Sequence, residues 1–258
     1  LVTIPQPTVR SILRRLPEGI RNSLPPKAEV KQTPKSVVRT LRQLFDSRFL
    51  PMPTKPEKEF TFSQIIHLDR KDIQKFLYFL GMTELGQAFV SVGRQALADL
   101  CRRLPRQQAE ALIIETKKAS ENALEPELKS AQRFLSRVAV NFENTSEFFH
   151  KAGIWRLAKS SLLESPLFRS QLRQRLPREP GILLEEYLGK ALEMDDLSEE
   201  ILRRFQDSLL LKVRELSQRG EISSDWSEMT YQFHDPAVGD LIETQEDPSP
   251  EEDPKIEP

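Results

Sequence analysis

The chain has 258 residues, of which 38 % are hydrophobic and 30 % charged, with 38 Lys and Arg against 39 Asp and Glu. That length can bury a core without metal or disulfide staples, and the single cysteine, Cys101, excludes an intramolecular disulfide and a cysteine-based zinc cage. No apolar run approaches the ~20 residues that span a bilayer, and the first residues lack the apolar stretch of an export signal, so the expectation is a cytoplasmic protein without a transmembrane segment.

Charge is uneven along the chain, basic at the start and acidic at the end, a pattern of interaction arms rather than of fold. Residues 1–59 are expected to form a basic, proline-rich arm with one helix. Prolines such as Pro5, Pro7, Pro17, Pro25 and Pro26 cut helices short there. The surviving helix is predicted from Thr33 as N-cap and Pro34 at the first helical position, with Val37, Val38, Leu41, Leu44, Phe45 and Phe49 as its stripe, ending at Pro51. A weaker helix is expected over Thr8 to Leu16, and Pro51 to Glu59 has the composition of a linker.

From residue 60 to 220 the pattern predicts an all-helical body. Asp69 caps a helix through Ile73, Phe76, Leu77 and Leu80 that Gly81 is placed to close; Thr83 caps a second, through Leu85, Ala88, Phe89 and Val92, ending at Gly93. Gln95–Leu104 and Pro105–Ser120 follow, the latter with Ala109, Leu112, Ile113 and Thr116 on one side. Pro126 opens the longest predicted helix, running to Gly153 with a seam of Leu128, Ala131, Leu135, Val138, Phe142, Thr145 and Phe149. Such a seam packs either inside the body or against a second chain. Helices over Ile154–Glu164, Pro166–Leu176 and Pro180–Glu193 come next. Ser198 caps the last, whose stripe is Leu202, Phe205, Leu209, Val213 and Leu216, with Glu199 and Glu200 in its first turn.

An Arg-Leu-Pro echo recurs at Arg15-Leu16-Pro17, Arg103-Leu104-Pro105 and Arg175-Leu176-Pro177. It reads either as the relic of a helical repeat or as the preference for proline in a first turn. After Gly220 periodicity is lost, and EDPSPEEDPKIEP has too little apolar content to fold alone; residues 221–258 are expected to be an acidic, disordered tail. The fold class predicted is all-α, a multi-helix bundle or irregular helical stack with disordered terminal segments.

Chemistry is sparse. His67, His150 and His234 lie far apart without metal-ligand spacing, and His150 reads as a partner of helix-terminal carbonyls. Cys101 reads as a small buried residue. No dinucleotide fingerprint, phosphate loop or nucleophile elbow can be written; Gly81, Gly86 and Gly93 read as caps and close-packing positions. The pairs Glu185-Glu186, Asp195-Asp196 and Glu199-Glu200 read as solvated faces. No catalytic, cofactor-binding or metal-binding residue is predicted, and no cofactor. The basic arm could meet nucleic acid non-specifically, or an acidic surface, by phosphate or carboxylate neutralisation.

The run FLYFLGMTELGQAFVSVGRQALADLCRRLPRQQAEALI, Phe76 to Ile113, resembles the helical core of the K subunit (SctK/YscK family) of bacterial type III secretion sorting platforms. It is also similar to the helical modules of the flagellar rotor protein FliG, as is SLLLKVRELSQRGEI, Ser208 to Ile222. The resemblance implies a non-enzymatic cytoplasmic adaptor, peripheral to the inner-membrane export complex, that joins an inner-membrane ring protein to a cytoplasmic ring or pod subunit. It carries over only packing positions: Leu80, Gly81, Leu85, Ala88, Leu97 and Leu100. The long basic arm and acidic tail depart from the K pattern, and the charged torque helix of FliG is missing. The competing expectation is a nucleic-acid-binding or regulatory protein that acts through the basic arm.

Overall fold

The computed structural model describes residues 58–137, 144–194 and 196–235. The two arm helices, Val138 and Phe142 of the seam, and the acidic segment from residue 236 onward lie outside them. The described residues form an all-α body: β1 (Glu59–Phe60), a 3₁₀ turn (Phe62–His67), α1 (Arg70–Val92), α2 (Arg94–Cys101), α3 (Arg106–Asn122), α4 (Glu125–Arg137), α5 (Thr145–Ser160), α6 (Pro166–Arg175), α7 (Arg178–Leu192), α8 (Glu199–Gln218), a second 3₁₀ turn (Ser224–Trp226) and β2 (Thr230–Tyr231).

Two helices make the centre, α1 and α5. Each lacks a continuous polar face, so each must be surrounded by other elements rather than laid on a surface. Around α1 pack α3, α4 and α5, while α7 and α8 close over α5. The Asp69 carboxylate accepts from the Lys71 and Asp72 amides at 2.7 and 2.8 Å, the predicted N-cap. The helix does not stop at Gly81. It runs unbroken to Val92, and Gly93, at φ +106°, ends it. Two predicted helices are therefore one, because Gly81 serves close packing rather than a turn: a Cβ on it would lie 1.8 Å from the Phe149 carbonyl oxygen of α5.

The predicted helix from Pro126 to Gly153 is instead two. α4 ends at Arg137, and Asn144, at φ −113° and ψ 88°, starts α5 by accepting from the Glu147 amide. A short polar side chain that satisfies an orphan amide offers the backbone a new start that outweighs the heptad pattern. Gly153 consequently sits inside α5. The buried face of α4 is also rotated from the predicted seam: Ala131 and Phe134 are buried, whereas Leu128 and Leu135 are partly buried. Phe134 meets Phe148, Trp155 and Tyr187 in an aromatic cluster with centroids 5.9 to 6.5 Å apart.

Pro105 and Pro177 occupy the N-cap positions of α3 and α7, so two copies of the Arg-Leu-Pro echo mark helix junctions. On α8 the whole predicted stripe, Leu202 through Leu216, is buried. Ile113 departs from its predicted inward stripe; it faces solvent while Leu112 is buried.

Residues 221–235, expected to open the tail, fold back on the body. β2 pairs in parallel with β1, Glu59 opposite Thr230, and the pair is a minor addition to a helical fold. Phe60 packs edge-on against Trp226 at 5.3 Å and beside Tyr231 at 5.1 Å. Three aromatic residues spaced too irregularly for a helix thus supply enough apolar area to order a segment that has no helical period.

Candidate functional site

In the middle of α1, Glu84 is the sole acid between Asp72 and Asp99. Since α1 is enclosed, its charge has to be met inside the protein. Two residues of α5 meet it. Lys159 Nζ donates to Glu84 Oε1 at 2.6 Å, and Arg156 Nη1 donates to Glu84 Oε2 at 3.1 Å. The exposures of Glu84, Lys159 and Arg156 are 0, 0 and 1 %. Arg156 Nη1 also donates to Gln87 Oε1 and its Nη2 to Ser208 Oγ, while Lys159 donates to Ser130 Oγ on α4. The Lys159 ammonium lies 4.5 Å from the Phe205 ring centre and 5.9 Å from that of Trp155.

Two cations here share one carboxylate. Burial pushes the Lys159 ammonium from 10.5 down to about 8; Glu84 resists the fall and Arg156 adds to it. A group placed this deeply organises four helices, α1, α4, α5 and α8, around a single charge.

One side of this network reaches a cleft of about 470 Å³. Arg156 and Gln87 line it, whereas Glu84 and Lys159 do not. From α3 come Glu115 and Lys118; from α8, Arg204, Ser208 and Lys212. Burial pushes the Glu115 carboxyl up, but Lys212 at 3.2 Å and the Thr83 hydroxyl at 2.7 Å outweigh it and hold the carboxyl below its ordinary value. Glu127, at the start of α4, accepts from the Leu124 amide at 2.7 Å and from Arg204 at 3.4 Å.

The described residues after α8 reach the same cleft at Asp235. Asp207 on α8 accepts from the backbone amides of His234 and Asp235 at 2.8 and 3.0 Å. His234 Nε2 lies 2.8 Å from Gln206 Oε1, and Gln206 Nε2 donates to Ser160 O and Glu164 Oε1. Burial raises the Glu164 carboxyl, partly offset by Gln206 and His234.

The histidines stay apart. Among the described residues no group of three His, Cys, Asp or Glu could hold a metal ion. His150 Nδ1 pairs with Ser146 O within the first half of α5, not with terminal carbonyls, because the helix restarts at Asn144. Cys101 is half-buried and its thiol is pushed up by burial. Of the acidic pairs, Glu185, Glu186 and Glu199 are surface partners of Arg173, Lys190 and Arg203, Asp196 pairs with Arg133 of α4, and Asp195 lies outside the described residues.

Sequence reasoning missed Glu84, Arg156 and Lys159. Their signal lay in the apolar stretches that carry them, the middle of α1 and the second half of α5, where a charge has no route to solvent. No family model, curated protein or solved structure matches the chain.

Proposed function

We propose that the chain is a non-enzymatic adaptor of a bacterial type III secretion, or flagellar-like, sorting platform, linking an inner-membrane ring protein to the cytoplasmic ring or pod. The observation that carries this reading is the fate of the Phe76–Ile113 segment on which the resemblance rests. It becomes α1 from Phe76 onward, all of α2 and the first half of α3. Its packing positions Leu80, Gly81, Leu85, Ala88 and Leu100 are buried, and Leu97 is partly so. The segment ends at Ile113, 49 % exposed, and Ile114 directly after it is 54 % exposed.

Rigid packing behind and apolar side chains in front are what a spacer between two partners requires. Among the described residues no helix is long and apolar enough to cross a membrane, and in this reading attachment to the membrane ring runs through a protein partner.

The test is affinity purification of the tagged chain after mild crosslinking, with mass spectrometry of what accompanies it. Inner-membrane ring and cytoplasmic export subunits are the expected companions, and I113D/I114D should lose at least one of them. Recovery of nucleic acid with ribosomal proteins, and of no platform subunit, overturns the reading.

A further inference from the structure

Independently of the adaptor reading, we infer that the helical body is two copies of one four-helix module, residues 70–137 and 144–218, docked through equivalent faces. The charges at that interface make each module take the other and reject its own kind.

The helices recur at a fixed spacing. α2 starts at Arg94 and α6 at Pro166, α3 at Arg106 and α7 at Arg178, 72 residues apart in both cases. α4 and α8, starting at Glu125 and Glu199, follow two residues out of that step. At the spacing of 72, Arg103-Leu104-Pro105-Arg106 falls on Arg175-Leu176-Pro177-Arg178. Buried residues fall on identical buried ones: Leu85 on Leu157, Leu100 on Leu172, Leu112 on Leu184 and Ala119 on Ala191. Proline's preference for a first turn does not produce a period shared by sequence, helix boundaries and core, whereas a repeat does. The copy at Arg15-Leu16-Pro17 is out of step and lies outside the described residues. Packing repeats too, with α3 and α4 lying on α1, and α7 and α8 on α5. The modules differ on their outside: the exposed positions held by Ile113 and Ile114 on α3 are held by Glu185 and Glu186 on α7.

The contact between α1 and α5 obeys the same spacing. Gly81 abuts Phe149, and Gly153 abuts Leu77. Replacing each residue by its counterpart turns one contact into the other, as across the isologous interface of a two-fold dimer. Glu84 and Arg156 are counterparts, and so are Gln87 and Lys159. The bond from Lys159 to Glu84 and the bond from Arg156 to Gln87 are thus one position pair seen twice. Two identical modules would bury Glu84 against a second Glu84, or Arg156 against a second Arg156, with no access to solvent. Opposite signs at equivalent positions favour the mixed pair and oppose both like pairs.

The test uses the full chain with a specific protease site inserted after Val140, so that one cut parts the modules covalently. Three variants are compared with the wild type: E84R/Q87K, which gives both modules the cationic set; R156E/K159Q, which gives both the acidic set; and the four-fold exchange that combines them. The cut wild type is expected to elute from gel filtration as one complex with unchanged far-UV circular dichroism. Either half-exchange should weaken association of the pieces about a hundredfold or more, and the four-fold exchange should regain at least about tenfold over both. Wild-type pieces that separate on cutting overturn the proposal. So does a half-exchange that holds its pieces with full affinity, or a four-fold exchange that holds them no better than the half-exchanges.

Discussion

Gly81 of α1 and Gly153 of α5 lie against each other's helix in a reciprocal way: a Cβ on Gly81 would sit 1.8 Å from the Phe149 carbonyl oxygen, and one on Gly153 would sit 1.8 Å from that of Leu77. In each case the obstructed atom is backbone four residues before the other glycine. Neither helix can yield locally without parting from its neighbour. Gly81→Ala and Gly153→Ala should each destabilise by about 3 kcal/mol or more, at the upper end of overpacking costs. Gly189→Ala on α7 is the contrast, since nothing lies within 4 Å of its would-be Cβ; helix propensity should there stabilise by about 0.5–1 kcal/mol. Urea denaturation of the three variants reads both signs.

The network at Glu84 predicts an asymmetry between its members. Removing the shared carboxylate with Glu84→Gln leaves Arg156 and Lys159 buried and facing one another, and should cost about 3–5 kcal/mol. Replacing the surplus cation with Lys159→Met keeps the Glu84–Arg156 pair and fills similar volume among Phe205 and Trp155. That change should be neutral or stabilising at pH 7, since a buried cation gives way to an apolar group. Equal losses from the two substitutions would mean that Lys159 and Arg156 are not in surplus.

The helical body was legible because its apolar stripes and caps are local. Asp69, Gly93, Ser198 and the α8 stripe all lie where the sequence puts them. Gly81 was misread because a glycine needed for helix contact and one needed for a turn leave the same letter; only the partner glycine in α5 distinguishes them. Asn144 was overridden by a heptad seam that continues across it, although its cap bond to Glu147 breaks the helix. The cleft was not legible at all. Its walls come from α1, α3, α4, α5 and α8, and the long-range pairing that brings Gln87, Glu115 and Arg204 together has no local trace.

Asp207 supplies the most direct hold on the C-terminal segment, through the amides of His234 and Asp235. Asp207→Ala removes two charge-assisted bonds whose donors can then be met by water, so the global cost should stay near 1–2 kcal/mol. The local effect should be larger. Hydrogen exchange at residues 234 and 235 is expected to accelerate, with exchange in α1 and α5 unchanged. Unaltered rates at those two residues would mean that the β1–β2 pair and Trp226 hold the segment without help from Asp207.

Lys159 also sets a pH dependence whose sign is opposite to that of an ordinary ion pair. Below pH 8 the ammonium is charged in both the folded and the unfolded chain, and the folded state bears the burial penalty in full. Between about 8, its folded value, and 10.5, its ordinary one, the unfolded chain holds more protons than the folded chain. Stability contributed by this residue therefore rises with pH across that window, by about 3 kcal/mol in all. Burial works the other way for Tyr187, raised to about 12, for Tyr78 and Tyr231, also raised, and for the Cys101 thiol. Those groups ionise first in the unfolded chain and lower stability as pH rises through their ordinary values. Subtracting the profile of Lys159→Met from that of the wild type cancels the four opposing contributions and leaves that of Lys159. The difference should move in favour of the wild type from pH 8 to 10.5, measured by urea denaturation at fixed ionic strength. A flat difference would mean that Lys159 stays charged in the fold throughout, held by Glu84 more tightly than burial disfavours it.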